Sequence, residues 1–291
     1  MKSHLCSEIS CQPRVIQRTD EIINHKPAAF CMHNNRPIKR FGQNYLVDKN
    51  IIDNIVKEID PQKDDLILEI GPGRGALTRE LIKHTDSLYA VEIDKRVIES
   101  LQFEMPLLNM INADILKFDL KKIAEGKNKK IRVAGNIPYN ITSPILFKLI
   151  AERDIVKDTV LMMQYEVAKR LTAEKRTKDY GILAVLLNYY AKVKFCFKVS
   201  RNVFYPKPNV ESAVVHINFD FELENSVNNK LFIQTVKASF GNRRKTLKNS
   251  LSNSIFKDID FSGAKIDLSR RAEELDIEEF IELTNFIEKA M

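Results

Sequence analysis

An α/β protein is predicted by three features of the sequence. From Phe41 to about Asp220, short apolar runs alternate with segments of helical periodicity. A glycine-rich turn, LEIGPGRG at 68–75, follows the first apolar run directly. After Asp220 the strand-like runs stop and only helical spacing continues. Strands that alternate with helices build a mostly parallel sheet covered on both faces. The chain is therefore expected to carry an α/β body over 36–220 and a small all-α domain over 221–291.

Taken in order, Asp48 is placed to cap a helix whose apolar face is Ile51, Ile52, Ile55, Val56 and Ile59, and Pro61 ends it. A buried strand at 66–70 leads into the glycines. A helix carrying Leu77, Leu81 and Ile82 follows, then a second strand at 88–93. Another helix precedes a third strand at 107–111. Strands at 131–134 and 159–163 continue the alternation, and 193–199 with 212–219 read as an antiparallel pair joined by a Pro-containing loop. Helical spacing then places Leu231, Phe232, Thr235 and Val236 together, next Leu247 and Leu251, and last Phe280, Leu283 and Phe286.

The 291 residues are 44% hydrophobic, enough for one large domain and a small one. No apolar run reaches the roughly 18 residues of a membrane span, and no secretory signal is read at the N-terminus. Four scattered cysteines do not make a disulfide framework. The expectation is a soluble cytoplasmic monomer with reduced thiols. A net charge of +7 attracts polyanions without identifying them. Residues 1–35 read as a flexible extension. They carry Cys6, Cys11, Cys31, His4, His25 and His33, but the spacing fits no paired-ligand pattern, so no metal is expected. Met32 stands just before the first organised segment.

The glycine turn points to a nucleoside ligand. Gly71, Gly73 and Gly75 allow backbone to approach a ligand closely. Glu92, in VEID, ends the second strand about 20 residues further on, where an acidic side chain accepts from ribose hydroxyls. A dinucleotide site uses GxGxxG and holds a pyrophosphate at a helix N-terminus. Here the spacing is GxGxG with Pro72 inside it and Glu69 before it, which suits a phosphate-free ligand such as S-adenosylmethionine. A tight turn without ligand is the plain alternative. Asp114, in NADIL, is placed to receive an adenine amine or simply to cap a helix.

The sharpest signal is GNIPYN, 135–140, at the end of the fourth strand, where open α/β sheets bind ligands. An aromatic amine is a poor nucleophile because its lone pair is delocalised into the ring. Two acceptors placed on its two hydrogens favour a pyramidal nitrogen. The amide oxygen of Asn136 can be one, and the backbone carbonyl of Pro138 or Ile137 the other. Tyr139 can stack on the base, worth about 1–3 kcal/mol. No strong base is needed, and positioning carries most of the rate. The base must be unpaired or flipped out to reach such a loop. Phe204 and Tyr205 are candidate stacking partners, with packing beneath a Pro-rich loop as the alternative.

Together, RFGQNYL (40–46), LEIGPGRGALT (68–78), VEID (91–94), NADIL (112–116), GNIPYNITSPILF (135–147), YGILAV (180–185), FYPKPNVESAVV (204–215) and NRRKTLKNSL (242–251) resemble the ribosomal RNA small-subunit adenine dimethyltransferase family. The resemblance spans about 36–285. It implies a Rossmann-like class I methyltransferase sheet with a C-terminal antiparallel hairpin, plus a small all-α C-terminal domain. It also implies N6,N6-dimethylation of two adjacent adenosines near the 3′ end of small-subunit RNA, with S-adenosylmethionine as donor and a role in subunit biogenesis. Carried over, Gln43, Asn44 and Leu46 cover the donor, Gly71 and Gly73 line its methionine part, Glu92 holds its ribose and Asp114 its adenine. Asn136, Pro138 and Tyr139 form the target-amine site. The segment QYEVAKRL has Tyr165 where family members often have Lys, and Gly241-Asn242 replace a commoner polar pair.

Arg243, Arg244, Lys245 and Lys248 are expected on a short basic helix that meets RNA phosphates, with a solvated face as the alternative. Lys192, Lys194, Lys198, Arg201 and Lys207 form a second basic run interleaved with aromatics. Three further readings compete: a large-subunit adenine methyltransferase of the macrolide-resistance kind, an assembly-binding protein with methylation secondary, and a nucleotide-cofactor oxidoreductase. The last leaves GNIPYN unexplained.

Overall fold

The computed structural model describes residue 37 and residues 42–220 and 227–291. The expectations for residues 1–35 lie outside them. The first described element is a two-residue strand, β1 (Tyr45–Leu46), followed by helix α1 (Lys49–Ile59). Asp48 caps α1 by accepting from the Ile51 N–H, and Asp60 ends it in a left-handed conformation, just before Pro61. Then come β2 (Leu66–Ile70), α2 (Thr78–Leu81), β3 (Ser87–Glu92), α3 (Lys95–Glu104), β4 (Asn109–Asn112), α4 (Lys121–Ala124) and β5 (Ile131–Asn136). Helix α5 (Thr142–Ala151), β6 (Val156–Gln164), α6 (Tyr165–Leu171), α7 (Ile182–Tyr190) and β7 (Lys192–Val199) follow. A second two-residue strand, β8 (Phe204–Tyr205), precedes β9 (Ser212–Asn218). The remainder is helical: α8 (Asn229–Ser239), α9 (Leu247–Ser252) and α10 (Ile277–Ala290).

Seven strands form one sheet in the order β4-β3-β2-β5-β6-β9-β7. The first five are parallel, and β9 pairs antiparallel with both β6 and β7. The chain turns outward in one direction after β2 and in the other after β5. That reversal opens a crevice at the carboxyl ends of β2 and β5, the expected ligand position in such sheets. The expected antiparallel pair is present, and the predicted third strand lies slightly later than 107–111. Leu107 is 91% exposed, in the turn that follows α3 and Pro106, so its apolarity did not mark a buried strand.

Two buried clusters cover the two sheet faces. One joins Ile52, Ile55 and Ile59 of α1 with Leu81, Val97, Leu101, Leu46 and Phe204. The other joins α5 and α7 to the sheet and continues through Phe232 of α8, Leu247 and Leu251 of α9 and Phe280 and Leu283 of α10. The C-terminal helices thus share their apolar core with the sheet. Burying Phe232 and Phe280 completely contributes about 1.5–3 kcal/mol each. The basic helix expected over 243–248 is corrected: the chain turns through 240–245, and α9 begins only at Leu247, capped by Thr246. Of the four basic residues only Lys248 lies on a helix.

Candidate active site

All five residues of β2 are buried, and the chain leaves it through the glycine turn. Gly71 and Gly73 both have left-handed φ, +66° and +54°. A Cβ on Gly73 would stand 2.9 Å from the Tyr45 ring, because β1 crosses the turn there. A Cβ on Gly71 would meet nothing, because that side opens onto a cavity. The cavity measures about 250 Å³ and is reached by the ends of β2, β3, β4 and β5. Gln43, Asn44, Leu46, Gly71, Gly73, Glu92, Asp114, Asn136, Pro138 and Tyr139, predicted from five separate segments, all line it.

Three carboxylates stand on this cavity. Glu69 is 2% exposed and its Oε2 has no hydrogen-bond partner, and burial pushes its carboxyl up to about 7. Glu92 is also raised by burial, an effect opposed by N–H donors from the Asp94, Ile93 and Gly73 backbone. Its Oε1 accepts from the Ile93 and Asp94 N–H groups at 2.8 and 2.9 Å. Asp114 does both things its position allowed: Oδ1 accepts from the Leu116 N–H at 3.0 Å, and the residue lines the cavity. Among the described residues the one cation on the wall is Arg74, whose guanidinium lies over the Tyr45 ring at 4.8 Å and the Tyr205 ring at 5.6 Å. A wall with three acids and one arginine does not suit a pyrophosphate. It suits a hydroxyl-rich ligand that carries positive charge.

A strap closes one side. β1 pairs antiparallel with β8, setting Tyr45 opposite Tyr205 and Leu46 opposite Phe204. Gln43 latches it to the β3 end: its Nε2 donates to Asp94 Oδ2 at 3.2 Å, and its Oε1 accepts from the Tyr45 hydroxyl at 2.9 Å. Arg96 holds the Asp94 carboxyl below its ordinary range. The strap also decides the two candidate stacking rings. Phe204 is 4% exposed beneath it, and Tyr205 is 57% exposed outside it. Neither lines the cavity. Packing accounts for Phe204, because its partner Leu46 must be covered on the sheet face.

The loop after β5 is held tightly. The Ile137 N–H donates to Met162 O at 3.1 Å, continuing the parallel ladder. Asn136 Nδ2 donates to the Asn44 carbonyl at 2.7 Å, which turns its amide oxygen away from the strap. The Pro138 carbonyl accepts from the Ile141 N–H at 3.2 Å and from the Thr142 hydroxyl at 3.3 Å. Its two lone pairs are occupied by the turn. Of the two carbonyls that sequence reasoning left open, Ile137 is the one not committed to that turn. The Tyr139 hydroxyl lies 2.7 Å from Ser212 Oγ, and burial raises its pKa, so the ring is fixed as a neutral phenol. Sequence reasoning missed Tyr45, Arg74, Asp94 and Ser212. All four were within quoted motifs, but only the fold shows that their side chains serve the site.

The basic residues are placed unevenly. Arg243 donates to Glu273 at 3.2 Å and to the carbonyls of Lys178 and Tyr180. Arg244, Lys245 and Lys248 are exposed. In the second run Lys194 pairs with Glu58 at 2.7 Å, Arg201 donates to Asn209 O, and Lys198 lies 5.0 Å over the Tyr165 ring. Tyr165, the departure from the family pattern, packs edge-on against Phe195. Gly241-Asn242 lie in the turn before α9, where the Asn242 carbonyl accepts from the Lys245 N–H. Among the described residues no cluster of ligands could hold a metal, and no helix is long and apolar enough to cross a membrane.

Comparison with known proteins matches the same span. The model of a family described as ribosomal RNA adenine dimethylase covers residues 32–289. A ribosomal RNA small subunit methyltransferase A from Chlorobium phaeobacteroides is 46% identical, over 87% of this chain and 92% of its own. The protein of that name from Francisella tularensis subsp. novicida is 41% identical, over 86% and 97%. Among solved structures, a dimethyladenosine transferase from Plasmodium falciparum superposes with a TM-score of 0.68 at 25% identity, over 84% of this chain and 98% of its own. The 23S rRNA methyltransferase ErmE gives 0.61 at 26%, over 84% and 100%. With the glycine turn, the acid-lined cavity and the Asn-Ile-Pro-Tyr loop in one crevice, and with this extent of identity, the chain belongs to the ribosomal RNA adenine dimethylase family.

Proposed function

We infer that this protein dimethylates N6 of two adjacent adenosines near the 3′ end of small-subunit ribosomal RNA, in the cytoplasm, during subunit biogenesis. S-adenosylmethionine is the donor; when bound it supplies an electrophilic methyl group. The cavity fits it by charge: the partnerless Oε2 of Glu69 is a buried acceptor suited to a cationic ligand, and Glu92 and Asp114 suit ribose hydroxyls and an adenine amine. Gly71 and Gly73 admit the methionine portion, and Gln43, Asn44 and Leu46 cover it. Residues 36–220 supply this chemistry, and 221–291 contribute the basic surface.

The observation that carries the reading is the bond from Asn136 Nδ2 to the Asn44 carbonyl. With Nδ2 engaged there, the amide oxygen is the end left for a reacting amine, which supports the reading. Asn136 Oδ1 and a backbone carbonyl of the loop, Ile137 in preference to Pro138, then accept the two amine hydrogens. Holding both hydrogens below the ring plane makes the nitrogen pyramidal and exposes its lone pair. Tyr139 stacks on the base, and Pro138 stiffens the turn. The small-subunit reading is preferred because the curated relatives of that name are 41–46% identical over 86–87% of this chain.

The test is transfer of labelled methyl from S-adenosylmethionine to small subunits lacking the modification, followed by nucleoside analysis. Wild type is expected to yield dimethyladenosine. Asn136→Ala is expected to lose about 10²–10³ in rate, the usual cost of one preorganised polar group at a reacting centre. Transfer to large-subunit RNA instead would replace the substrate assignment.

A further inference from the structure

A second cavity, about 630 Å³, opens on the far side of Tyr139. Its walls include Tyr139, Gln164, Pro206, Lys207 and Pro208, and it shares Gly42, Gln43, Asn44 and Tyr139 with the first. Nothing in the reaction derived above uses Gln164.

The sheet register locates this side chain closely. Asn136 pairs with Met162 on β6, so Gln164, two residues on, stands abreast of Pro138 at the carboxyl edge. Val160 and Met162 face the α1 side of the sheet, and strand alternation sends Gln164 the same way. Ala134 does so on β5, which puts Asn136 on that face as well. On β9 Gln164 pairs with Ser212, and Val214 assigns Ser212 to the same face. Asn136, Gln164 and Ser212 therefore form one row across three adjacent strands. Tyr139 leaves the β5 end, and its hydroxyl meets Ser212 on β9. Its ring must span the end of β6, where Gln164 sits. A base stacked on that ring, with its amine at Asn136, has its ring edge beside the Gln164 amide. No other side chain among the described residues engages that amide.

Resting on the functional reading above, we propose that Gln164 reads the target base, donating its amide N–H to a ring nitrogen flanking the amine while the second cavity seats the nucleotide. The amine hydrogens are already taken by Asn136 and the loop carbonyl, so the ring acceptors flanking the amine are N1 on one edge and N7 on the other. A glutamine amide can donate to either. Lys207, exposed on the cavity wall, supplies a cation for the phosphate, and Pro206 and Pro208 make that wall stiff.

The experiment compares wild type and Gln164→Ala on small subunits reconstituted with adenosine, 1-deazaadenosine or 7-deazaadenosine at the target. Binding of S-adenosylhomocysteine, followed by calorimetry, checks that the first cavity is intact. With adenosine, Gln164→Ala is expected to lose about tenfold in kcat/KM, with S-adenosylhomocysteine affinity unchanged. One of the two deaza analogues is expected to cost wild type a similar factor and to cost Gln164→Ala nothing more, which also says which nitrogen is read. The proposal is overturned if Gln164→Ala matches wild type on adenosine, or if both analogues penalise the variant as heavily as wild type. Absence of transfer by wild type to adenosine itself would instead overturn the functional reading, and the proposal with it.

Discussion

The two ends of the central sheet treat buried polar groups in opposite ways. At the amino end, Arg132 of β5 makes five hydrogen bonds: two to Asp158, one to Asp65, and one each to the Ile59 and Asp60 carbonyls that end α1. A guanidinium has five N–H donors, so every one is used. His216 completes the cluster with Nε2 2.9 Å from Asp158 Oδ2. At the carboxyl end, Glu69 Oε2 is buried without a partner, and Asn136 and Gln164 keep polar atoms turned to open space. Polar groups in a protein interior cost free energy unless paired. The Arg132 cluster at the amino end has resolved that cost internally and acts as a staple from α1 to the sheet. The carboxyl end leaves it for ligands to resolve.

The largest expected effect breaks the staple. Arg132→Met leaves Asp158 buried with one partner, and loss of one member of such a cluster costs about 3–5 kcal/mol. Urea unfolding should show this, while activity per folded molecule stays within a few-fold of wild type. Burial alone would raise Asp158, but the bonds from Arg132 and His216 overcome it and hold the carboxyl at about 2. Its folded pKa is below the unfolded one. The stabilisation is therefore present at neutral pH and lost as pH falls from about 4 toward 2. Arg132→Met should flatten that acid limb. An unchanged limb would mean the cluster is not the staple described.

Glu69 gives the opposite sign at the opposite end. Its folded pKa, about 7, is above the unfolded value of 4.5, so the folded state holds the proton more tightly. Stability of the free protein should decline as pH rises from about 4.5 to 7 and stay low above that. Glu69→Gln should recover about 2–3 kcal/mol at pH 8 and nothing at pH 4. The same change should weaken S-adenosylmethionine binding at pH 8, because the acceptor for its positive charge is gone. Stabilisation without weaker binding would separate Glu69 from the ligand and leave it a packing defect.

The same contrast explains what the sequence disclosed. Periodicity and turn chemistry are local, so the α1 cap at Asp48, the glycine turn and the strand-helix alternation were legible. Gly71, Gly73, Glu92, Asp114 and the Asn136–Tyr139 loop were legible because each lies in a short motif at a strand end, whereas Gln43, Asn44 and Leu46 came only from the family resemblance. Their roles within the site were less so. Asn44 read as a cover for the donor, yet its carbonyl orients Asn136, a contact across 92 residues. The β1–β8 strap was missed because a two-residue strand has no period to detect. Arg132, Asp158 and His216 sit in ordinary strand sequence, and only the register makes them one cluster.

The smallest effect concerns the basic turn before α9, where the contrast recurs on the surface. Sequence treated Arg243, Arg244, Lys245 and Lys248 as equivalent. In the fold all four are exposed, but Arg243 ties the turn to the carbonyls of Lys178 and Tyr180, whereas the side chains of the other three make no ion pair among the described residues. Arg243→Ala should cost about 1 kcal/mol of stability, in the range of exposed charged contacts, and leave the salt dependence of RNA binding little changed. Arg244→Ala and Lys248→Ala should leave stability within about 0.5 kcal/mol. Each should lower the slope of log affinity against log salt by about 1, as loss of one phosphate contact does. If Arg243→Ala alone lowers the slope, the occupied donor is the RNA contact and the division between paired and waiting groups fails at this surface. If Arg244→Ala and Lys248→Ala leave the slope intact, the RNA crosses elsewhere and the basic turn is a solvated one.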